Sequence, residues 1–176
     1  PSRDGIPEYA NYRDRVFALV EAINRTYGTE DWTPITVFHE HNRLQALAAL
    51  SLYDVLLVNS VADGLNLVSK EGPLLNERDG VLALSTTAGA YEELMGGALP
   101  VTPYDIVDTA DALERALTMC AKDRAQRQET LRQAIAGHQG VIDMFIEAVF
   151  FKIRYTGNTA LGIFRIGFIS QAFGND

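Results

Sequence analysis

Two short runs, Asp54-Val-Leu-Leu-Val-Asn-Ser60 and Val81-Leu-Ala-Leu-Ser85, constrain this chain most. A strand with one wet face alternates apolar and polar residues, whereas a run that is apolar throughout needs cover on both faces. Each run is followed by a polar, glycine-containing turn and then by apolar residues at helical spacing. Repetition of strand, turn and helix is the pattern of an α/β fold with a doubly wound parallel sheet. The remaining segments extend it. Tyr9, Tyr12, Val16, Leu19, Val20, Ile23 and Tyr27 form a 3.6-residue stripe over Pro7 to Tyr27, with Gly28 as its stop. Ile35 to Phe38 reads as a short strand, and Asn42 as the cap of a helix carrying Leu44, Leu47, Ala48 and Leu52. After the second run come a short helix around Tyr91–Met95, a break at Gly96-Gly97, and an edge strand over Ala98–Val101. A helix with Ile106, Ala110, Leu113 and Leu117 on one face follows, then a charged helix over Ala121–Ile135.

With 176 residues, a chain of this kind buries roughly 70% of its unfolded surface and needs no cross-links. The single Cys120 excludes an internal disulfide and any cysteine-rich metal site, and fits a reducing, cytoplasmic setting. The net charge of −8 argues against nucleic acid or an anionic membrane as partner, since both select a basic face. No 18-residue apolar run is present to span a bilayer. His39 and His41 lack a third nearby ligand, so no metal is expected there; His138 reads as solvent-facing and Trp32 as a packing residue. Ser60 and Ser69 have no evident base, which leaves nucleophilic hydrolysis unsupported. A Gly-x-Gly-x-x-Gly dinucleotide loop is absent after the strands.

The polar turn Asp63-Gly64-Leu65-Asn66 lies where the first buried run ends and a helix begins. In open α/β sheets ligands settle at such strand exits, and the free N–H groups of a helix's first turn suit an anion, most often a phosphate. Asp63 fits two roles, a helix N-cap or a ligand carboxylate. Gly64 marks either a close backbone approach or a positive φ. Glu71 is expected two turns into the helix, on the face that Leu67 starts, and Lys70 is expected to be a surface charge.

Asp63-Gly-Leu-Asn-Leu-Val-Ser-Lys-Glu71 resembles the Asp-Gly-Met-Asn-Leu-Val-Ala-Lys-Glu signature of the trehalose-phosphate synthases, retaining glycosyltransferases of family 20 with the two-Rossmann-domain GT-B fold. Seven of nine positions agree, with Leu65 for Met and Ser69 for Ala. Pro1-Ser2-Arg3, Ile23-Asn24, Tyr27-Gly28, Trp32-Thr33-Pro34 and Pro103-Tyr104-Asp105 match further family runs, so the likeness is continuous to about Gly137. Ser85 to Ala90 resembles the family's Ser-Glu-Phe-Ala-Gly-Ala, with Thr86 and Thr87 replacing Glu and Phe.

The resemblance implies a nucleotide-sugar-binding, Rossmann-like domain over residues 1–150, incomplete at its N-terminus, and a C-terminal extension over 151–176 whose glycines oppose a long helix. It implies that Asp63 holds sugar hydroxyls and Glu71 the ribose diol. Backbone amides of Gly64, Leu65, Asn66, Leu67 and Val68 would then meet glucose oxygens and the diphosphate. The donor is UDP-glucose or GDP-glucose, and the acceptor glucose 6-phosphate is held largely by a preceding domain. The family's Arg-Leu-Asp-Tyr-x-Lys-Gly stretch, which supplies cations to the diphosphate, would lie upstream of Pro1. The expectation is therefore a donor half-site with no catalytic residue of its own, no metal or cofactor, weak binding, no turnover in isolation, and room for a homo-oligomer. Two alternatives share these residues: a pseudo-glycosyltransferase joining cyclitol units, a branch that also carries the Asn76-Glu-Arg-Asp79 run although Lys70 and Val68 favour the ordinary synthase, and a catalytically silent regulatory domain, against which the intact Asp63 and Glu71 speak.

Overall fold

A computed structural model describes residues 7–38, 42–137 and 166–168. The chain divides into two compact units, Pro1–His41 and Asn42–Asp176. In the first, helix α1 spans Pro7–Tyr27, as the stripe predicts, and Gly28 N–H closes it on the Asn24 carbonyl at 2.8 Å. The stripe is largely exposed at Tyr12, Leu19 and Tyr27. Ile35 to Phe38 is not a strand. The Asn24 side chain explains why: its Nδ2 donates to the Ile35 carbonyl and its Oδ1 accepts the Ile35 N–H, both at 2.8 Å. Ile35 thus spends both of its main-chain polar groups on one amide side chain and has none left for a ladder.

The second unit contains α2 (Arg43–Leu52), β1 (Val55–Val58), α3 (Leu67–Leu75), β2 (Val81–Ser85), α4 (Tyr91–Leu94), β3 (Leu99–Val101), α5 (Ile106–Thr118), α6 (Ala121–Ala136) and β4 (Ile166–Phe168). All the pairings are parallel, in the order β3-β2-β1-β4. Asn42 caps α2 by accepting the Gln45 N–H at 3.1 Å, as its sequence position implies. The strand beside β1 on the side away from β2 is Ile166–Phe168, paired Val55 to Ile166 and Leu57 to Phe168. His39, His41 and His138, and most of the C-terminal segment, lie outside the described residues.

The apolar runs behave as a two-faced sheet requires. Leu56, Val58, Leu82 and Leu84 enter one core with α2, α3, α4 and α6 residues, including Leu50, Val68, Leu94, Leu131 and Ile135. Val55, Leu57, Val81 and Ala83 enter another with Leu99, Val101, Ala112 and Ala116. Each fully buried Leu or Val contributes about 1.5–3 kcal/mol, so the two strands anchor the unit. α5 departs from expectation. Ile106 and Leu117 are exposed; Leu113 packs partly buried against the core as expected, and the residues that the helix buries fully are Ala112 and Ala116. Small side chains at this spacing let the helix lie close on the β2–β3 surface, where larger ones would hold it off.

The turn after α3 is built by one buried side chain. Asn76 Nδ2 donates to the Tyr53 carbonyl (2.9 Å), while its Oδ1 accepts from the Arg78 (2.9 Å) and Gly80 (2.7 Å) N–H groups. α6 secures the C-terminal end of α3: Gln128 Nε2 donates to the Pro73 carbonyl at 2.7 Å, and Arg132 reaches the Pro73 and Asn76 carbonyls at 3.2 and 2.8 Å. These carbonyls have no partner within their own helix, so donors from α6 satisfy them.

Candidate functional site

β1 delivers the chain into Asn59–Asn66 and thence into α3. Asp63 is held there through its backbone: it forms an isolated parallel bridge with Ala88, and its carbonyl accepts the Gly89 N–H at 3.0 Å. The N-cap of α3 is Asn66, not Asp63. Asn66 sits in the left-handed region (φ 40°, ψ 74°), which asparagine tolerates better than most residues. Its Oδ1 accepts the Ser69 N–H (3.1 Å), its carbonyl accepts the Ser69 hydroxyl (2.7 Å), and its Nδ2 donates to Asp63 Oδ2 (2.5 Å). Asp63 is therefore oriented by the cap instead of acting as one. Its second carboxylate oxygen meets no partner among the described residues.

Gly64 is exposed, has no positive φ, and a Cβ built on it would meet nothing within 4 Å. Neither strain nor crowding within the chain calls for glycine here. Leu65 is exposed, Leu67 half-buried, and Val68 belongs to the core. Among the described residues, no acceptor meets the N–H groups of Leu67 and Val68, so the first turn of α3 keeps donors in hand. Because α3 starts at Leu67, Glu71 lies one turn into it, not two. Glu71 is half-buried, and burial raises its carboxyl above the usual carboxylate range, partly opposed by the positive charge of Arg43 on α2. Lys70 is not a surface charge. It is nearly buried, and its Nζ lies 2.6 Å from Glu93 Oε2, joining α3 to α4. Among the described residues, no group of three or more His, Cys, Asp or Glu side chains is placed to hold a metal, and no helix is long and apolar enough to cross a membrane.

The family model described as glycosyltransferase family 20 matches residues 1–148. The chain belongs to glycosyltransferase family 20. Among its family-20 relatives is the alpha,alpha-trehalose-phosphate synthase (UDP-forming) of Schizosaccharomyces pombe. It is 40% identical over 133 residues, which is 74% of this chain and 26% of that protein. A solved structure described as trehalose-6-phosphate from E. coli bound with UDP-2-fluoro glucose matches with a TM-score of 0.74 and 33% identity, over 88% of this chain and 34% of that one. An alpha,alpha-trehalose-phosphate synthase (UDP-forming) from Burkholderia xenovorans in complex with glucose-6-phosphate matches with a TM-score of 0.69 and 36% identity, over 75% of this chain and 30% of that one. The chain thus spans about a quarter to a third of the lengths of these family-20 proteins. Its parallel sheet is the Rossmann-like sheet of the GT-B trehalose-phosphate synthase structures.

Proposed function

We infer that this chain is the donor-binding part of a retaining hexosyltransferase that moves glucose from UDP-glucose or GDP-glucose to glucose 6-phosphate, giving trehalose 6-phosphate. The observation that carries the reading is the first turn of α3, where the Leu67 and Val68 amides, without an acceptor among the described residues, lie in the chain between two carboxylates, Asp63 before them and Glu71 after. Transfer leaves negative charge on the departing diphosphate, and a helix N-terminus opposes that charge with no reorganisation. Asp63, already turned by Asn66, offers its remaining oxygen to hexose hydroxyls. Glu71 takes the ribose diol. Gly64, Leu65 and Asn66 add main-chain amides, and the open space at Gly64 leaves room for a sugar against the backbone. The glucose 6-phosphate site and further cations for the diphosphate lie in other parts of the enzyme. No metal or cofactor enters the reading, and the setting is cytoplasmic. The relatives' names and the UDP-2-fluoro glucose and glucose-6-phosphate complexes support the substrate classes.

Titration of the chain with UDP-glucose and GDP-glucose, followed by amide shifts, tests this. Asp63→Ala and Glu71→Gln are each expected to weaken the preferred donor about tenfold, the loss of one charge-assisted pair of hydrogen bonds. Unchanged binding in either variant would remove that residue from the site, and unchanged binding in both would end the reading.

Glu71 also sets a pH dependence. Its folded pKa lies above its unfolded value, so the folded state holds the proton more tightly. The associated stability is present below the unfolded value and is lost as pH rises through the folded one. Donor binding runs the other way, because only the carboxylate accepts both ribose hydroxyls. Affinity should therefore fall on acidification, beginning at a higher pH than an ordinary glutamate would give. Glu71→Gln should flatten that limb and gain relative stability at neutral pH; a wild-type profile that is flat down to the ordinary glutamate range would contradict it.

A further inference from the structure

The loop after β2 is tied to the loop after β1 at two places, and one tie is a side chain found in this sequence where the family signature carries Phe. Thr87 Oγ1 donates to the Ser60 carbonyl at 3.0 Å and lies 2.9 Å from Ser85 Oγ. A threonine hydroxyl has one proton. With that proton on Ser60, the Ser85 hydroxyl donates to Thr87, and Ser85 Oγ in turn accepts the Thr87 N–H at 3.2 Å. The directions of all three bonds are thereby fixed. Ser60 stands three residues before Asp63, and its own hydroxyl, though buried, meets no partner among the described residues. The side-chain tie between the two loops therefore runs through Thr87. Two residues on, Gly89 N–H holds the Asp63 carbonyl at 3.0 Å, so the Ser60–Asp63 stretch is fastened at both ends to one loop. The Lys70–Glu93 pair then joins α4, where that loop ends, to α3.

We propose that Thr87 is a positioning residue for the hexose end of the donor site: its hydroxyl fixes Ser60 and so sets where the Asp63 carboxylate stands. The inference rests on the donor reading above and makes a narrower claim. Thr87 acts on the turn before α3, whereas the nucleotide end relies on Glu71 and the amides inside α3. Loss of the hydroxyl should therefore weaken recognition of glucose and leave recognition of the nucleoside diphosphate intact. A purely structural residue would not discriminate between the two.

The experiment compares UDP-glucose with UDP on the 176-residue chain, by amide-shift titration of wild type, Thr87→Val, Thr87→Ser and Asp63→Ala. Thr87→Val keeps the shape and removes the hydroxyl; it should bind UDP-glucose about tenfold more weakly and UDP as wild type does. Thr87→Ser should restore both. Equal losses for UDP and UDP-glucose, wild-type binding of both, or loss of the folded spectrum in Thr87→Val would each overturn the proposal. If Asp63→Ala weakens UDP-glucose while Thr87→Val does not, this inference alone fails. If the wild-type chain binds neither ligand, the donor reading fails and takes the inference with it.

Discussion

Gly89→Ala is expected to lower donor affinity at least a hundredfold. A Cβ at this position would lie far inside van der Waals contact distance of the Gly64 carbonyl oxygen, and 2.9 Å from the Gly64 carbonyl carbon. Those are backbone atoms, so no rotamer change relieves the clash. The loop after β2 must retreat, breaking the Gly89 N–H bond to Asp63, or the Asp63-Gly64 turn must be pushed out. Either movement displaces the Asp63 carboxylate together with the main-chain amides that follow it, so the loss adds to the tenfold expected for Asp63→Ala and reaches about two orders of magnitude. The fold itself should survive, at an overpacking cost of about 1–3 kcal/mol, because Gly89 is exposed and lies beyond the carboxyl ends of β1 and β2, although its neighbours Ala88 and Ala90 enter the core. Gly96→Ala is the matched control. A Cβ there meets only a Thr130 methyl, at 3.4 Å, so its binding and melting should match wild type. Donor titration and thermal melting of the pair decide the matter, and wild-type donor affinity in Gly89→Ala would show that the turn is not held as described.

The second large effect is on folding. Asn76→Ala removes three hydrogen bonds at a residue that is 2% exposed. It leaves the Gly80 N–H and the Tyr53 carbonyl without partners. Gly80 is buried against the Tyr53 ring with no room for a side chain, so no rearrangement can bring in water cheaply. Each stranded group costs about 1–3 kcal/mol, and a total of roughly 3–5 kcal/mol is a large part of the 5–15 kcal/mol that holds a domain together. Urea denaturation should show an unfolding free energy lowered by that amount, with the midpoint falling in proportion and the slope unchanged. A loss below about 1 kcal/mol would mean that the turn finds other donors and acceptors.

The chain's fold was legible wherever one physical requirement acted alone. Val55–Val58 and Val81–Ser85 had to be strands covered on two faces, and they are. Asn42 and Gly28 ended or began helices as their residue types dictate. Errors arose where a distant partner outweighed local pattern. Asn24, eleven residues upstream, took the main chain of Ile35 and removed a predicted strand. The large apolar residues of α5 suggested one face, but close approach to the sheet selected Ala112 and Ala116. Lys70 looked like a solvated charge because nothing in its own helix announces Glu93, twenty-three residues on. At the site, the placement of the turn between strand and helix was readable from order alone. The division of labour within it was not: Asp63 and Asn66 both have capping chemistry, and only the three-dimensional turn assigns the cap to Asn66 and leaves Asp63 a free oxygen.

The far end of α3 is fastened by Gln128 and Arg132, more than fifty residues downstream. During synthesis, α3 would leave the ribosome well before the side chains that complete its C-terminal end. Elongation at about 5–20 residues per second imposes a delay of several seconds. Through that interval Pro73 and Asn76 keep bare carbonyls, and the half-made sheet must wait, with its apolar surfaces uncovered, for α6 to arrive. The nascent chain is therefore exposed to misassociation between translation of α3 and translation of α6, the helix that locks it from behind.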